Sequence, residues 1–359
     1  MKCKRKRVAI IGSQGVPAKY GGFETLVDNI LSARRPELVD YTVFCSSPDM
    51  DTTMRTYRGC RLKYVKLRAH GILSVPYDIV SMLRAISGYD AVLMLGVSGG
   101  LFIPVFRLFS RAKVIVNIDG LEYMRDKWSK RAKRFLRWSL KSSIFWAHEI
   151  VSDNKGIRDF VKNHYNREAT LIAYGGDHTI RKVNNRRQLA ILDFYNLESG
   201  NYDLSICRIE PENNCHITLQ AYDETERNIV FVGNWNHSEY SRKLYKQYSH
   251  KDNIRLIRST YDLDILYAIR NHARYYVHGH KAGGTNPSLV EAMFIGKPIL
   301  WYDVLYNRET MQNTGYSFNS AEQLKKLILT DNLSGEASKK IARRDYTWHK
   351  IAEAYESLY

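Results

Sequence analysis

Apolar residues along this chain fall into short runs that alternate with amphipathic stretches. Arg7–Ile11, Tyr41–Cys45, Leu62–Leu67, Ala91–Leu95 and Val114–Ile118 are compact β-prone runs, and Glu149–Ser152 and Ala169–Ile172 continue the series. Between them, Phe23–Leu31, Tyr77–Ile86 and Gly156–Tyr165 repeat apolar residues at helical spacing. Short apolar runs alternating with helices predict parallel sheets covered on both faces. From about Asp177 to Tyr202 the chain turns polar, basic and poorly periodic. It reads there as a connection holding a short helix over Arg187–Tyr195. The alternation restarts at Asp203 with strands Leu204–Ile209, Ile229–Val232 and Ile254–Ile257 and helices Ile217–Tyr222 and Asp262–Asn271. Tyr275–Asp303 then reads as strand, glycine loop, helix, strand. Leu324–Leu329, Lys339–Arg343 and Trp348–Leu358 close the chain as helices, the last behind the aromatic anchor Tyr346-Thr347-Trp348. The expectation is two α/β domains, 1–177 and 203–345, joined by a linker at 178–202.

A chain of 359 residues is long enough for a substantial core in each half. Charge is the one unusual feature of the composition. Lys and Arg number 54 against 37 Asp and Glu, a formal net charge of +17. That excess points to a polyanionic partner: nucleic acid, an anionic membrane face or a phosphorylated substrate. The five cysteines (Cys3, Cys45, Cys60, Cys207, Cys215) are scattered and form no C-x-x-C pair. They suggest neither a disulfide framework nor a zinc site, and fit a reducing compartment. The basic start MKCKRKRVAIIG holds too short an apolar run for a signal peptide. No run of about 18 apolar residues occurs, so no membrane span is expected.

The chemistry concentrates between Tyr275 and Asp303. Gly283-Gly284 permit a tight backbone path, Asn286 is a good N-cap and Pro287 suits the first helical position. Gly296-Lys297-Pro298 stops the helix. A helix opening just after a glycine loop offers N–H groups and a partial positive charge to a phosphate. Glu291, in the second turn, would repel phosphate but suits a pair of sugar hydroxyls. Phosphate beside ribose is a nucleoside diphosphate. Arg208, at a strand's carboxyl end, can pair with it; a surface ion pair is the plainer alternative. The loop SQGVPAKYGG after the first strand holds Gly15, Gly21 and Gly22. It lacks the G-x-G-x-x-G spacing and reads either as structural or as facing a substrate. Asp119 and Glu122 follow the strand Val114–Ile118, where ligands of parallel sheets bind, although Asp119 also suits a turn. His278 and His280 have no companion carboxylate or cysteine cluster, so no metal is expected there. The stretch Arg125–Lys141 reads as one amphipathic helix, with Lys127, Lys130, Lys133, Arg134, Arg137 and Lys141 on one side and Trp138 at the border. It is either a solvated face or a membrane-surface helix.

Four motifs in order carry a resemblance: GSQGVPAKYGGFET (Gly12–Thr25), NIDGLEYMRDKW (Asn117–Trp128), CRIEPENN (Cys207–Asn214) and HGHKAGGTNPSLVEAM (His278–Met293). Together they resemble family 4 retaining glycosyltransferases, in the bacterial rhamnosyltransferase branch that builds surface polysaccharide. The resemblance implies the GT-B fold: two Rossmann-like domains facing across a cleft, with the C-terminal helix 346–359 crossing back to the first. It implies that Gly21 and Gly22 lie over donor phosphate and acceptor. It makes Arg208 the diphosphate arginine and Glu291 the ribose glutamate, the second of an E-x7-E motif. It places Gly284, Thr285, Asn286 and the backbone of Ser288, Leu289 and Val290 against the phosphate, and Ile257 and Arg258 near the base. Three departures follow from the same comparison. The first glutamate of E-x7-E falls on Gly283. The lysine expected five residues after Arg208 is Asn213, with Lys281 a candidate replacement. The histidine that contacts a sugar 6-hydroxyl is replaced by Asp119, which fits a 6-deoxy sugar such as rhamnose.

The function expected from this resemblance is transfer of L-rhamnose from dTDP-rhamnose, with retention and without cofactor or bound metal. Asp119, Arg208 and Glu291 would serve catalysis and Glu122 would face the acceptor. That acceptor is expected to be a lipid-linked saccharide at an anionic membrane surface, the protein being cytoplasmic and peripheral at the inner face. The alternatives are another hexosyltransferase using a UDP-sugar, a GT-B nucleotide-sugar epimerase, or a basic nucleic-acid-binding protein. No nucleic-acid motif supports the last.

Overall fold

The computed structural model describes residues 5–18, 21–118, 120–124 and 128–359. They form two compact units, one of 1–174 with 348–359 and one of 175–347.

In the first unit eight strands make one sheet, in the spatial order Thr56–Tyr57, Cys60–Val65, Val39–Ser46, Lys6–Ile11, Ala91–Leu95, Lys113–Ile118, Glu149–Ser152, Thr170–Leu171. All neighbours are parallel except the first pair, a small antiparallel hairpin turned at Arg58-Gly59. Val8 pairs with Tyr41 on one side and Ala91 on the other. Ala91–Leu95 is buried at every position, as a strand covered on both faces must be. The core under one face gathers Val8, Ile10, Leu26, Ile30, Tyr41, Val43 and Leu93 with Trp348, Ile351 and Tyr355. The C-terminal helix Trp348–Glu356 thus completes the first unit. Glu356 accepts Arg35 Nε at 2.6 Å, and Tyr355 Oη meets Asn117 Nδ2 at 2.6 Å.

The second unit holds six parallel strands in the order Ile254–Arg258, Ile229–Gly233, Asp203–Ile206, Tyr276–His278, Ile299–Tyr302, Tyr316–Phe318. Counted along the chain this is 3-2-1-4-5-6, the dinucleotide-fold order. Its direction reverses between Asp203–Ile206 and Tyr276–His278. Arg274 anchors that junction, donating to Asp203 Oδ1 at 2.9 Å and Oδ2 at 2.7 Å. Residues 178–202, read from sequence as a connection, belong to this unit. Their helix Asn185–Phe194 is capped by Asn184, and Gln188 Oε1 accepts from Asn271 Nδ2 at 3.0 Å.

Several elements differ from the sequence reading. The basic helix runs Lys130–Trp146, not Arg125–Lys141, because Ser129 caps it by accepting the Ala132 N–H; residues 125–127 lie outside the described set. Helices Ile103–Phe109, Glu239–Tyr248 and Leu305–Met311 and the strand Tyr316–Phe318 are additional. No helix among the described residues is long and apolar enough to cross a membrane.

Candidate functional site

In an open parallel sheet, ligands sit off the carboxyl ends of the strands where the order reverses. In the second unit that point lies between Ile206 and His278. The chain beyond Ile206 forms the loop of Arg208 and the 3-10 turn Pro211–Asn213. The chain beyond His278 forms the glycine loop that enters the helix Pro287–Ile295. The two loops are sewn together. Asn214 Nδ2 donates to Gly279 O at 3.0 Å, and Lys281 N donates to Glu212 O at 3.0 Å. A Cβ on Gly279 would stand 2.4 Å from Asn213 O, so only glycine lets the loops meet. Tyr276 Oη donates to Ile206 O at 3.3 Å, and its ring also lies near Ser288, Arg270 and Glu291. Arg208, Asn213, Lys281, Gly283, Gly284, Thr285, Asn286 and Ser288 are therefore brought to one place. A separate hollow of about 390 Å³, lined by Gly200, Arg227, Arg274 and Leu329, lies at the amino-terminal edge of this sheet, the wrong end for a parallel-sheet ligand.

The Arg208 side chain is half exposed, with Glu210 Oε1 at 3.8 Å and Glu212 Oε1 at 4.0 Å, distances too long for good hydrogen bonds. Asn213 is a staple. Its Nδ2 donates to Arg208 O at 2.7 Å, and the side chain is buried. Lys281 is exposed, and its charge helps burial to lower the His216 pKa. Gly283 adopts φ +112°. Asn286 Oδ1 accepts the Ser288 N–H at 3.1 Å, while Asn286 O accepts from Leu289 N at 3.1 Å and Val290 N at 3.2 Å. The amides of Ser288 to Val290 are thus already bonded to their own cap. A phosphate would meet the partial positive charge of the tip, or displace the Asn286 side chain to reach Ser288. Leu289 and Val290 side chains are fully buried.

Glu291 faces protein partners that the sequence reading missed. Its carboxylate pairs with Arg270, and His178 Nε2 lies 3.5 Å from Oε1. Burial raises its pKa, but Arg270 and His178 outweigh that, and the net shift is downward. A Cβ on Gly176 would lie 3.1 Å from Glu291 N and 2.9 Å from Val290 Cγ1, so this glycine lets the His178 segment lie directly on the helix. One sequence signal was available: Arg270 occupies the otherwise apolar buried stripe of its helix, beside Leu266 and Ile269.

The remaining expected site residues lie on other strands and loops. Ile257 is buried and Arg258 exposed at the end of the edge strand, and Ile257 O accepts Trp235 Nε1 at 3.1 Å. In the first unit, Gly21 precedes the helix Gly22–Ala33. The loop before it is held by that helix: Glu24 accepts Gln14 N at 2.7 Å and Asp28 accepts Ala18 N at 2.9 Å. Glu122 is half buried and accepts Trp128 Nε1 at 3.1 Å. Asp119 lies outside the described residues. His278 and His280 stack at 4.3 Å, and no group of three metal-ligating side chains occurs among the described residues.

A dinucleotide-order sheet with a capped helix and an arginine at its reversal point defines a nucleotide-fold protein of two α/β units. Residues 194–346 match the family Glycosyl transferases group 1. Residues 5–177 match a domain of unknown function, DUF1972. A search of the curated proteins found no match. Among solved structures, sucrose-phosphate synthase from Thermosynechococcus elongatus is similar at TM-score 0.83 and 16% identity, over 99% of this chain and 98% of that one. HepE from Anabaena in complex with UDP-glucose gives TM-score 0.77 at 13% identity, over 99% of each chain. The catalytic domain of starch synthase IV from Arabidopsis thaliana, bound to ADP and acarbose, gives 0.73 at 13%, over 99% of each. The fold is therefore GT-B.

Proposed function

We propose that the protein is a glycosyltransferase that draws its sugar from a nucleoside-diphosphate donor. The reading extends to L-rhamnose from dTDP-rhamnose, delivered with retention to a lipid-linked saccharide at an anionic membrane surface. The observation that carries it is the juxtaposition of Arg208 with the Gly283-Gly284 loop and the Asn286-capped helix at the reversal point of the second sheet. The bond from the sugar's anomeric carbon to the diphosphate oxygen breaks with oxocarbenium character. Charge gathers on the phosphate oxygens, where the helix tip and the Arg208 guanidinium stabilise it. The acceptor hydroxyl attacks the same face, and its proton passes to the departing phosphate oxygen. The rhamnose assignment rests on the missing contacts to a larger sugar: Gly283 has no carboxylate and Asp119 stands where the family resemblance expects histidine.

A thermal-shift panel of thymidine and uridine diphosphate sugars tests the donor. The expected result is stabilisation by dTDP-rhamnose above the uridine sugars, and stabilisation by uridine sugars alone overturns the rhamnose assignment. Arg208→Ala is expected to lower turnover roughly a hundredfold or more. Near-normal turnover would remove Arg208 from the chemistry. Conversion of the donor without any acceptor would make the protein an epimerase.

A further inference from the structure

The first unit carries an apolar surface that its own fold does not use. In the segment Gly100–Phe109, Ile103 and Phe106 face the core. Leu101, Val105, Leu108 and Phe109 do not. They follow one another at helical spacing and are all exposed, Leu108 by 80% and Phe109 by 69%. Single exposed apolar residues are ordinary, but a stripe of four on so short a helix is not.

The helix Lys130–Trp146 packs beside this segment. Gly100 O accepts Ser142 Oγ at 2.8 Å, and Arg107 Nη1 donates to Trp146 O at 2.9 Å. The Arg107 guanidinium also lies over the Trp146 ring, 5.9 Å from its centroid. On the outer side of the long helix, Arg134, Trp138, Lys141 and Phe145 succeed one another at three- and four-residue spacing, all exposed. Cations and aromatics thus alternate along one stripe, and the uncovered aliphatic stripe lies next to it. Between residues 101 and 146 the sequence has 11 Lys and Arg against 3 Asp and Glu.

We propose that this face docks on an anionic phospholipid surface in two parts. Leu101, Val105, Leu108 and Phe109 insert below the headgroups, while Arg134 and Lys141 hold the phosphates, with Trp138 and Phe145 at the boundary. The inference rests on the membrane part of the reading above and deepens it from a basic helix to a wedge with a cationic flank. Long cationic side chains reach outward while their stems cover apolar surface, so alternation with aromatics suits a boundary between headgroup and acyl chain. The exposed Arg134 and Lys141 of that stripe select an anionic surface over a neutral one.

The two parts separate by salt. Attraction to headgroups is screened within about 3 Å at 1 M salt, whereas inserted apolar side chains are not released by screening. The full chain is sedimented with vesicles of phosphatidylcholine plus phosphatidylglycerol at low salt and at about 1 M salt. Wild type is expected to stay bound in both. A Leu108→Ser/Phe109→Ser variant is expected to bind at low salt and lose roughly tenfold in affinity, or more, at high salt. Both positions are exposed, and an unchanged melting curve certifies the variant's fold. Brominated lipid is expected to quench tryptophan fluorescence in wild type and less in Trp138→Phe. Equal salt-resistant binding by the double variant overturns the wedge. Absence of vesicle binding by wild type overturns the docking altogether. A wild-type dimer that the double variant dissolves, measured by sedimentation equilibrium, assigns the face to a second copy and also overturns it. Donor stabilisation in the thermal-shift panel involves none of these residues, so either reading can fail alone.

Discussion

His278 turns burial into acid sensitivity. The ring is 1% exposed, and neither nitrogen has a hydrogen-bond partner among the described residues. Burial pushes its pKa down from 6.5 to about 3. The unfolded chain therefore binds a proton that the folded chain refuses, between those two values. Stability is fully present above pH 6.5 and falls as the pH drops toward 3. The expected slope from this one group is ~1.4 kcal/mol per pH unit. Urea titrations of wild type and His278→Leu from pH 6.5 to about 5, above most carboxylate titration, check it. The variant should lose less stability over that window, and parallel curves would contradict the assignment. Glu291 illustrates what sequence leaves out at this scale. Its position in a capped helix was legible, but Arg270 and His178 come from other segments and meet it only through tertiary packing.

Among elements, those with apolar period and clear punctuation were readable in advance. The helix Pro287–Ile295 begins at Asn286 and ends at Gly296, as the residue types dictate. Asn286→Ala is expected to cost about 1 kcal/mol by leaving the Ser288 N–H without its cap. It should also weaken donor binding if the cap holds the helix tip in place; urea titration with and without donor separates the two effects. Elements lacking such signals were missed. Glu239–Tyr248 holds a single aliphatic residue, Leu244, among tyrosines and polar residues, and only Ser241, Leu244 and Tyr248 are buried. It is held by the reciprocal cap of Ser238 and Ser241, which hydrophobic periodicity does not register. The strand Tyr316–Phe318 is three residues long, too short for its Tyr-Ser-Phe alternation to stand out. The basic helix was legible as a helix but its start was not, because Ser129 sits inside a run of cations.

For the whole molecule, the restart of alternation at Asp203 announced the second sheet, and the strand order followed the expected parallel fold. The mostly polar surface of the helix Asn185–Phe194 reads as a connection between the units; in the structure it packs within the second. The return of the chain to the first unit followed only from the family resemblance, since nothing in an isolated helix names its partner. That return has an energetic weight. Trp348, Ile351, Tyr355 and Leu358 are all buried against the first unit's core. Side chains of this size contribute about 1.5–3 kcal/mol each when buried. Removing 348–359 is therefore expected to split the calorimetric transition, with the first unit melting well before the second. A single transition at the original temperature would deny the helix that role.

The same return path sets an order of events during synthesis. Residues 175–347 must be translated before the segment that covers Leu31, Tyr41 and Ile10 exists. At about 5–20 residues per second this takes roughly 10 to 35 s. For that interval the first sheet stands outside the ribosome with one greasy flank bare, and the nascent chain needs shelter until its own tail arrives.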